Sequence, residues 1–268
     1  MPALNRTVGD VLRRWRAQRG LSQLALAVDT AISQRHLSFV ESGRAQPSRA
    51  LLLRLAEHLD VPLRDRNVLL LAAGYAPRFA ETPFSDPALD AARIAIERIL
   101  KAHEPYPAVT VDRHWSLLAS NRAVPVLLAT VSDADLLKPP VNVLRLTLHP
   151  RGLAPAILNL DEWRTHLLGR VRRHIASTGD EVLSALAAEL ATYGAASMEI
   201  PNDASELAGI AVPLTLRTPS GVLSFISTTT MFGAPKDVTL AEVALEAFFP
   251  ENEATAQALR TLLIVATE

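Results

Sequence analysis

Gln34 and Arg35 stand directly behind Ser33, a residue type that favours the start of a helix. A glutamine amide can make two hydrogen bonds to N6 and N7 of adenine, and an arginine guanidinium can make two to O6 and N7 of guanine. Phe39, one helical turn after Arg35, can contact the methyl group of thymine. This combination predicts a helix that reads bases in the major groove of DNA, with Gln34 and Arg35 as the primary readers.

Gln23 and Arg44 are candidates for contacts to DNA phosphates. Ser22 precedes an apolar run with helical spacing, so Gln23 falls in the first turn of a helix, where backbone N–H groups and the amide can meet a phosphate. Arg44 follows Gly43, which suits the left-handed position after a helix, and it presents a cation to the backbone. The remaining candidate contacts are Ser22, Ser33 and His36. For His36, a plain surface position stays open.

Two short helices with a tight turn between them must position these side chains. The predicted helices begin after Ser22 and Ser33, and the chain changes direction over residues 28–32. Thr7 and Ser48 are predicted to begin the flanking helices. A small helical bundle that binds protein is the alternative, but the polar residues directly after Ser33 favour DNA.

Charge is distributed unevenly along the 268 residues. The net charge is −1, but residues 1–75 carry 11 basic and 6 acidic side chains, and the remainder carries 16 basic and 22 acidic ones. This is typical of a DNA-binding domain joined to a domain with another task, because phosphate neutralisation supplies much of DNA affinity. We predict a helix-turn-helix domain at residues 1–76, a linker and connecting helix at 77–103, and a second domain at 104–268.

Residues 8–62 resemble the helix-turn-helix domain of XRE-type regulators, which phage repressors and Cro proteins share. The matching segments are Leu21-Ser22-Gln23, residues 33–44, Pro47-Ser48, Leu55-Ala56 and Val61-Pro62. The resemblance implies that Gln23 and Arg44 touch phosphates and that Gln34, Arg35 and Phe39 face bases. It also implies an ion pair between Arg16 and Glu41.

The second domain alternates between strand-like and helical patterns. Predicted strands cover residues 108–111, 115–119, 143–148, 210–217, 222–231 and 240–249, and predicted helices cover 121–131, 160–176, 180–193 and 252–265. Hairpins predict an antiparallel sheet of about five strands with helices packed on one face. The expected fold is therefore an all-α helix-turn-helix domain followed by an α/β domain of the α+β type. The apolar residues of the connecting helix, at 96–100, fit either packing on their own domain or dimerisation.

Residues 107–261 resemble the C-terminal ligand-binding domain of MmyB-like regulators, and the sheet resembles PAS-like sensors. The matching segments are residues 115–121, 146–150, 159–163, 212–214 and 228–233. The resemblance implies a sensor of apolar or fatty-acyl-like molecules.

Signatures of catalysis are missing from the sequence. The patterns HExxH, GxSxG, GxGxxG and GxxxxGK[ST] do not occur, and the lack of cysteine excludes disulfides, thiolate metal sites and cysteine nucleophiles. His166 and His174 lie eight residues apart on one helix, about 12 Å by the rise per residue, which is too far to share a metal. We therefore expect no enzyme activity, no catalytic residue, no metal and no cofactor.

A mostly apolar pocket with a few polar groups is the expected site of the second domain, because small-molecule sites are built in this way. The candidate ligand contacts are Trp115, Arg145, Phe225, Thr228, Thr230, Met231, Phe232 and Phe248. Arg145 either faces solvent or points inward, where its guanidinium would hold a carboxylate. The basic residues at 170–173 spread their charge around a helix, which we interpret as a solvated or interdomain surface.

These observations predict a sequence-specific transcriptional regulator that binds double-stranded operator DNA as a homodimer and responds to a small-molecule effector. The sequence has neither an apolar run of 18 residues nor a signal peptide, so we expect a soluble cytoplasmic protein without a membrane partner. Two alternatives stay open. A DNA-tethered enzyme would show at least two titratable groups converging in its pocket, and a non-sensing protein whose second domain only oligomerises would show a filled core.

Overall fold

The computed structural model describes residues 7–194 and 212–265. In chain order, its helices are α1 (Val8–Gln18), α2 (Gln23–Asp29), α3 (Gln34–Glu41), α4 (Arg49–His58), α5 (Leu63–Ala72), α6 (Asp90–Ala102), α7 (Ala123–Leu127), α8 (Val143–Leu148), α9 (Leu160–Thr178), α10 (Glu181–Ala191), α11 (Val238–Ala241) and α12 (Glu253–Val265). Its strands are β1 (Ala108–Val111), β2 (Leu117–Ser120), β3 (Leu214–Thr218), β4 (Gly221–Met231) and β5 (Ala244–Pro250). The chain forms two compact units, of which the first runs up to Asp86 and includes Gly233–Ala241.

Hydroxyl caps begin the first four helices of the first unit. Each cap accepts a hydrogen bond of 3.0–3.2 Å from the backbone N–H three residues further on, and the caps are Thr7, Ser22, Ser33 and Ser48. The predicted helix starts are therefore confirmed. Behind them lies a buried apolar core that includes Leu12, Trp15, Leu26, Leu37, Val40 and Leu55.

Gly9 sets the distance between α1 and α3. A Cβ atom at this position would lie 2.4 Å from the backbone carbonyl oxygen of Glu41, closer than real Cβ contacts occur. The two helix backbones therefore approach each other at a point where only a residue without a side chain fits.

The second unit contains one five-stranded antiparallel sheet in the order β2-β1-β5-β4-β3. The long strand β4 pairs with β3 along its first half, where Phe225 lies opposite Leu214, and its pairing with β5 extends to its end, where Met231 lies opposite Ala244. This confirms the predicted antiparallel sheet of about five strands. In α6, Ile96 and Leu100 are buried, and the helix packs on β1 of its own unit.

The strand predicted at residues 143–148 is wrong, because this segment is helix α8. The alternation of leucines at 144, 146 and 148 imitates a strand, but all three are buried in the helix. Asn142 decides the outcome locally, since its side-chain oxygen accepts a hydrogen bond of 3.1 Å from the backbone N–H of Arg145 and so caps the helix.

Three other predicted elements have different bounds. The strand predicted from residue 240 begins at Ala244, because α11 occupies the preceding residues. The helix predicted over 121–131 ends at Leu127 and continues as a 3-10 turn. Strand β3 begins at Leu214, and residues 210 and 211 of the predicted strand lie outside the described residues.

The segment Gly233–Ala241, between β4 and β5, belongs to the first unit. Val238 is fully buried there, and its backbone N–H donates a hydrogen bond of 2.8 Å to the carbonyl oxygen of Ala80. The N–H of Thr82 donates to Oδ2 of Asp237 at 3.2 Å, and α11 packs against α5. The first unit is thus assembled from two separate stretches of chain.

Among the helices of the described residues, none has the length and apolar character required to cross a membrane.

Candidate functional site

Helix α3 presents the predicted base readers on a fixed support. Gln34 and Arg35 are exposed, whereas Leu37 and Val40 of the same helix are fully buried. Ser33 accepts the N–H of His36 at 3.1 Å, so the first turn of α3 is held in place. The helix can therefore offer its polar start to a partner while its apolar side stays in the core.

Phe39 lies between two of the predicted DNA contacts. The guanidinium carbon of Arg35 is 5.3 Å from the centroid of its ring, and that of Arg44 is 6.0 Å from it. Both are cation–π distances. Gly43, with φ +73°, ends the helix as predicted. The chain then turns back toward the helix, and the backbone N–H of Arg44 donates to the carbonyl oxygen of Phe39 at 2.8 Å. The ring of Phe39 therefore lies against both a predicted base reader, Arg35, and a predicted phosphate contact, Arg44.

Glu41, at the end of α3, connects this helix to α1 through its carboxylate. Its carboxylate accepts hydrogen bonds from Nε of Arg16 at 2.6 Å and from Nη2 of Arg16 at 2.8 Å, which confirms the expected ion pair. Burial raises the pKa of the Glu41 carboxyl, but the hydrogen bonds from Arg16 and Gln23 outweigh this effect, and the pKa lies below its ordinary value. The hydrogen bonds from Arg16 to Glu41 also raise the pKa of Arg16. Glu41 is 2% exposed, so its charge is balanced inside the unit.

Gln23 takes part in this connection as well. Its side-chain nitrogen donates a hydrogen bond of 2.8 Å to Oε2 of Glu41, so the side-chain amide of Gln23 points to the Glu41 carboxylate. The hydroxyls of Ser22 and Ser33 accept backbone N–H groups as helix caps. All eight predicted DNA contacts lie within α2, α3, their two caps and the turn after α3: Ser22, Gln23, Ser33, Gln34, Arg35, His36, Phe39 and Arg44.

The second unit contains a partly open apolar cavity of about 100 Å³. Its walls come from the sheet and from α7, α8 and α9. Three of the predicted ligand contacts line it: Trp115, Phe225 and Phe248. Trp115 has φ +66°, an uncommon conformation for a residue with a side chain, and such strain is found mainly at functional sites.

Five predicted ligand contacts lie outside the lining of this cavity. Thr228, Thr230, Met231 and Phe232 are exposed at the end of β4 and just after it, and Met231 is 57% exposed. Arg145 forms a two-point ion pair with Glu189 through contacts of 2.7 Å, and this pairing raises the pKa of Arg145. Because its guanidinium already holds a carboxylate of the protein, Arg145 is not available as the ligand clamp of this cavity.

Glu246 lines the cavity and was missed by the sequence analysis. It is 3% exposed and accepts hydrogen bonds from Nη2 of Arg170 at 2.6 Å and from the hydroxyl of Thr229 at 2.9 Å. The guanidinium carbon of Arg170 is also 4.8 Å from the ring centroid of Trp115. The interpretation of residues 170–173 as a solvated or interdomain surface is therefore wrong for Arg170, whose partner is a buried carboxylate of the same unit.

Trp163 is another lining residue that was not among the predicted ligand contacts. It lines the cavity, is 3% exposed and lies parallel to His166, with ring centroids 5.4 Å apart. Burial, with Arg170 nearby, lowers the pKa of His166. Within the described residues, the indole N–H of Trp163 has no hydrogen-bond acceptor. Its place in the segment 159–163 was the available sequence signal.

The lining of the cavity can be compared with the two alternatives, a DNA-tethered enzyme and a second domain that only oligomerises. Of the described lining residues, Glu246 is the single ionisable one, and it is paired with Arg170. Two converging titratable groups, expected of an enzyme pocket, are not found among these lining residues. The open volume also differs from the filled core expected of a domain that only oligomerises.

Comparisons with known proteins give two family matches. The model of the MmyB-like transcription regulator ligand binding domain matches residues 92–262, and a helix-turn-helix domain model matches residues 7–69. The putative multi-protein-binding factor 1 of Yarrowia lipolytica (strain CLIB 122 / E 150) is 31% identical over 67 residues, which are 25% of this chain and 44% of that protein. The chain thus spans less than half the length of this curated relative.

A solved structure described as an RNA-binding light-oxygen-voltage receptor is also similar. It is 13% identical, with a TM-score of 0.24, and the match covers 100% of this chain and 64% of the other. A TM-score this low does not indicate a shared fold.

Proposed function

The chain belongs to the MmyB-like transcription regulators, and from this premise we propose that it reads operator DNA with α3 and senses a small apolar molecule in the cavity of its second unit. Its helix-turn-helix and ligand-binding domains make it a DNA-binding transcription regulator. The proposal adds the working state, a cytoplasmic homodimer on double-stranded DNA, and a PAS-like assignment of the five-stranded sheet.

The DNA part of the proposal is supported by exposed polar side chains on a rigid helix. The amide of Gln34 can both donate to and accept from adenine, and the guanidinium of Arg35 can donate two hydrogen bonds to guanine. Arg35 and Arg44 both lie against the ring of Phe39. The resemblance to XRE-type regulators assigns the same residues to bases and phosphates. A homodimer would place two copies of α3 in half-sites about 34 Å apart along the DNA.

The sensing part depends on the apolar cavity, which is the single observation that carries it. A concave space of about 100 Å³ with mostly apolar walls and few polar groups is how small-molecule sites are built. Its walls are apolar apart from Thr147 and the paired Glu246. A small apolar ligand of the acyl-chain type fits such walls, and its binding would alter the geometry of the DNA-binding dimer.

A selection from a random duplex library, followed by affinity measurements on the full chain, tests this function. We expect a two-fold symmetric site that binds at least 1,000-fold more tightly than unrelated DNA at fixed salt. Native mass spectrometry of the same sample should show two subunits, and any co-purified molecule should change the affinity for the selected site. Equal affinity for all duplexes would refute sequence-specific reading. An unchanged affinity after removal and return of the co-purified molecule would refute sensing.

A further inference from the structure

We propose that a ligand in the cavity acts on the first unit through the segment Gly233–Ala241, and that the ion pair between Arg113 and Glu242 transmits the effect of the ligand to this segment. The inference rests on the proposed function, in which the cavity takes a small apolar molecule that changes DNA binding. It adds the route of that regulation and the two residues on which the route depends.

The segment Gly233–Ala241 joins two strands that form part of the cavity wall. Strand β4 contributes Phe225 to the lining, and β5 contributes Glu246. The two strands stay paired as far as Met231 and Ala244, and Gly233–Ala241, which lies between these two residues in the chain, belongs to the first unit. A change in the position of either strand therefore acts on an end of this segment.

Inside the first unit, the segment is tied to α5. The backbone N–H of Val238, which is fully buried, donates to the carbonyl oxygen of Ala80 at 2.8 Å. Asn67 of α5 holds the neighbouring Phe79, because its side chain donates to the Phe79 carbonyl oxygen at 2.7 Å and accepts the Phe79 N–H at 3.1 Å. Helix α5 packs against α1, and α1 is joined to α3 through the carboxylate of Glu41. Packing and hydrogen bonds within the first unit thus connect the segment to α3.

The turn between β1 and β2 connects the cavity wall to Glu242, the residue that follows the segment. Trp115, in this turn, lines the cavity. Two residues earlier, Nη1 of Arg113 lies 3.7 Å from Oε1 of Glu242. The turn is fixed from within, since Oδ1 of Asp112 accepts two of its backbone N–H groups at 2.8 Å each. A shift of Trp115 on ligand binding would therefore shift Arg113 and change its contact with Glu242.

Arg113 has a second carboxylate partner, which makes its contact with Glu242 adjustable. Nη2 of Arg113 lies 3.3 Å from Oδ2 of Asp180, the residue that caps α10. The three side chains are 7–27% exposed, so solvent screens these contacts less than it screens a surface pair. One guanidinium is thus shared between a helix of the second unit and the end of the segment. A ligand that favours one of the two contacts would shift an equilibrium that also involves the first unit.

Benzene and the smaller xenon atom are suitable probes, because both enter an apolar cavity of about 150 Å³. Each is titrated into the full chain and followed by nuclear magnetic resonance. The methyl groups of Leu144 and Leu167, which line the cavity, report its occupancy. The backbone amide of Val238 reports the response of the first unit. In the wild type, we expect the signals of all three residues to shift with the same dependence on probe concentration.

R113Q and E242Q separate binding from transmission. Both variants should keep the dissociation constant read from the leucine methyl groups within twofold of the wild type, while the shift of the Val238 amide falls to less than half. The double variant should lose no more than either single one, since the two residues act as a pair. R217Q is the matched control, because it makes the same change at an exposed position of β3 in the same sheet. It should keep the full Val238 shift.

The possible results distinguish the route from the ligand site. If neither probe shifted the leucine methyl groups, the proposed ligand site would fail, and the inference with it. Shifts in the cavity without a Val238 shift in the wild type would overturn the route and leave the ligand site in place. Equal Val238 shifts in the wild type, R113Q and E242Q would overturn the role of the ion pair. Should one variant fail to fold by circular dichroism, the other variant and the wild-type response still decide the matter.

Discussion

Arg16 and Glu41 form a two-point ion pair, with contacts of 2.6 and 2.8 Å, that joins α1 to the end of α3. The Glu41 carboxylate also accepts the amide of Gln23, so one buried group connects α1, α2 and α3. The orientation of the exposed Gln34 and Arg35 therefore depends on a charge that lies on the inner side of the same helix.

Glu41→Gln should destabilise the first unit. The change leaves the half-buried guanidinium of Arg16 without its counter-charge, and the loss of one partner of a buried ion pair costs up to about 3 kcal/mol. Urea unfolding at pH 7, followed by amide exchange in α1 and α3, measures this loss. Glu57→Gln is the control, because Glu57 is exposed on α4 and its substitution should change the free energy of unfolding by less than about 0.5 kcal/mol. Equal effects of the two variants would contradict the anchoring role.

The stability difference between the wild type and Glu41→Gln should depend on pH. The pKa of Glu41 is lower in the folded protein than in the unfolded chain, so its contribution is complete above the unfolded pKa, about 4.3, and is lost as the pH falls through the lower folded pKa. Free energies of unfolding measured from pH 7 to pH 3 should therefore show a constant difference down to about pH 5 and a shrinking one below it. A constant difference over the whole range would refute this linkage.

Gly9→Ala should destabilise the first unit by about 1–3 kcal/mol, because the new methyl group would overlap the carbonyl oxygen of Glu41. Gly169→Ala makes the same chemical change inside α9, where the methyl group would lie 3.5 Å from the flexible side chain of Arg173. We expect that variant to be more stable by roughly 0.5–1 kcal/mol, since alanine favours helix. Thermal unfolding of both variants tests the contrast, and a stable Gly9→Ala protein would show that α1 and α3 can separate without cost.

Arg35→Ala and Arg44→Ala should affect DNA binding in different ways. Loss of Arg35 should cost about 1–3 kcal/mol at one base position and relax the preference there. Loss of Arg44 should weaken all sequences alike and reduce the salt slope by about 1. Mobility assays across single-base variants of the selected site, at several salt concentrations, separate these effects. Arg54→Ala, an exposed arginine on α4, is the control. An unchanged base preference in Arg35→Ala would reject Arg35 as a reader.

The first unit was predictable because its signals are local. Hydroxyl caps, apolar spacing and a glycine after α3 each act over one or two turns, and the predicted caps at Ser22 and Ser33 were confirmed. The partner of Glu41 came from a resemblance, since 25 residues separate it from Arg16. The local pattern gave a wrong prediction at residues 143–148, because these six residues fit the spacing of a strand as well as that of a helix. The cap at Asn142 was decisive.

The cavity was harder to predict because its walls come from distant parts of the chain. Trp163 and Phe225 line the same space, although they belong to a helix and a strand far apart in sequence. Aromatic content identified Trp115, Phe225 and Phe248, but it also suggested Met231 and Phe232, which are exposed. Pairing of Arg145 with Glu189 and of Arg170 with Glu246 depends on packing that no short pattern encodes.

The position of Gly233–Ala241 constrains how this protein can be recombined. A gene fragment that stops at Asp86 would lack Val238 and the helix that covers α5, so it would encode an incomplete first unit. A chimera that joins these helices to another sensor domain would also have to include Gly233–Ala241, the segment that connects β4 to β5. A single crossover after Asp86 would therefore separate Gly233–Ala241 from the rest of the first unit.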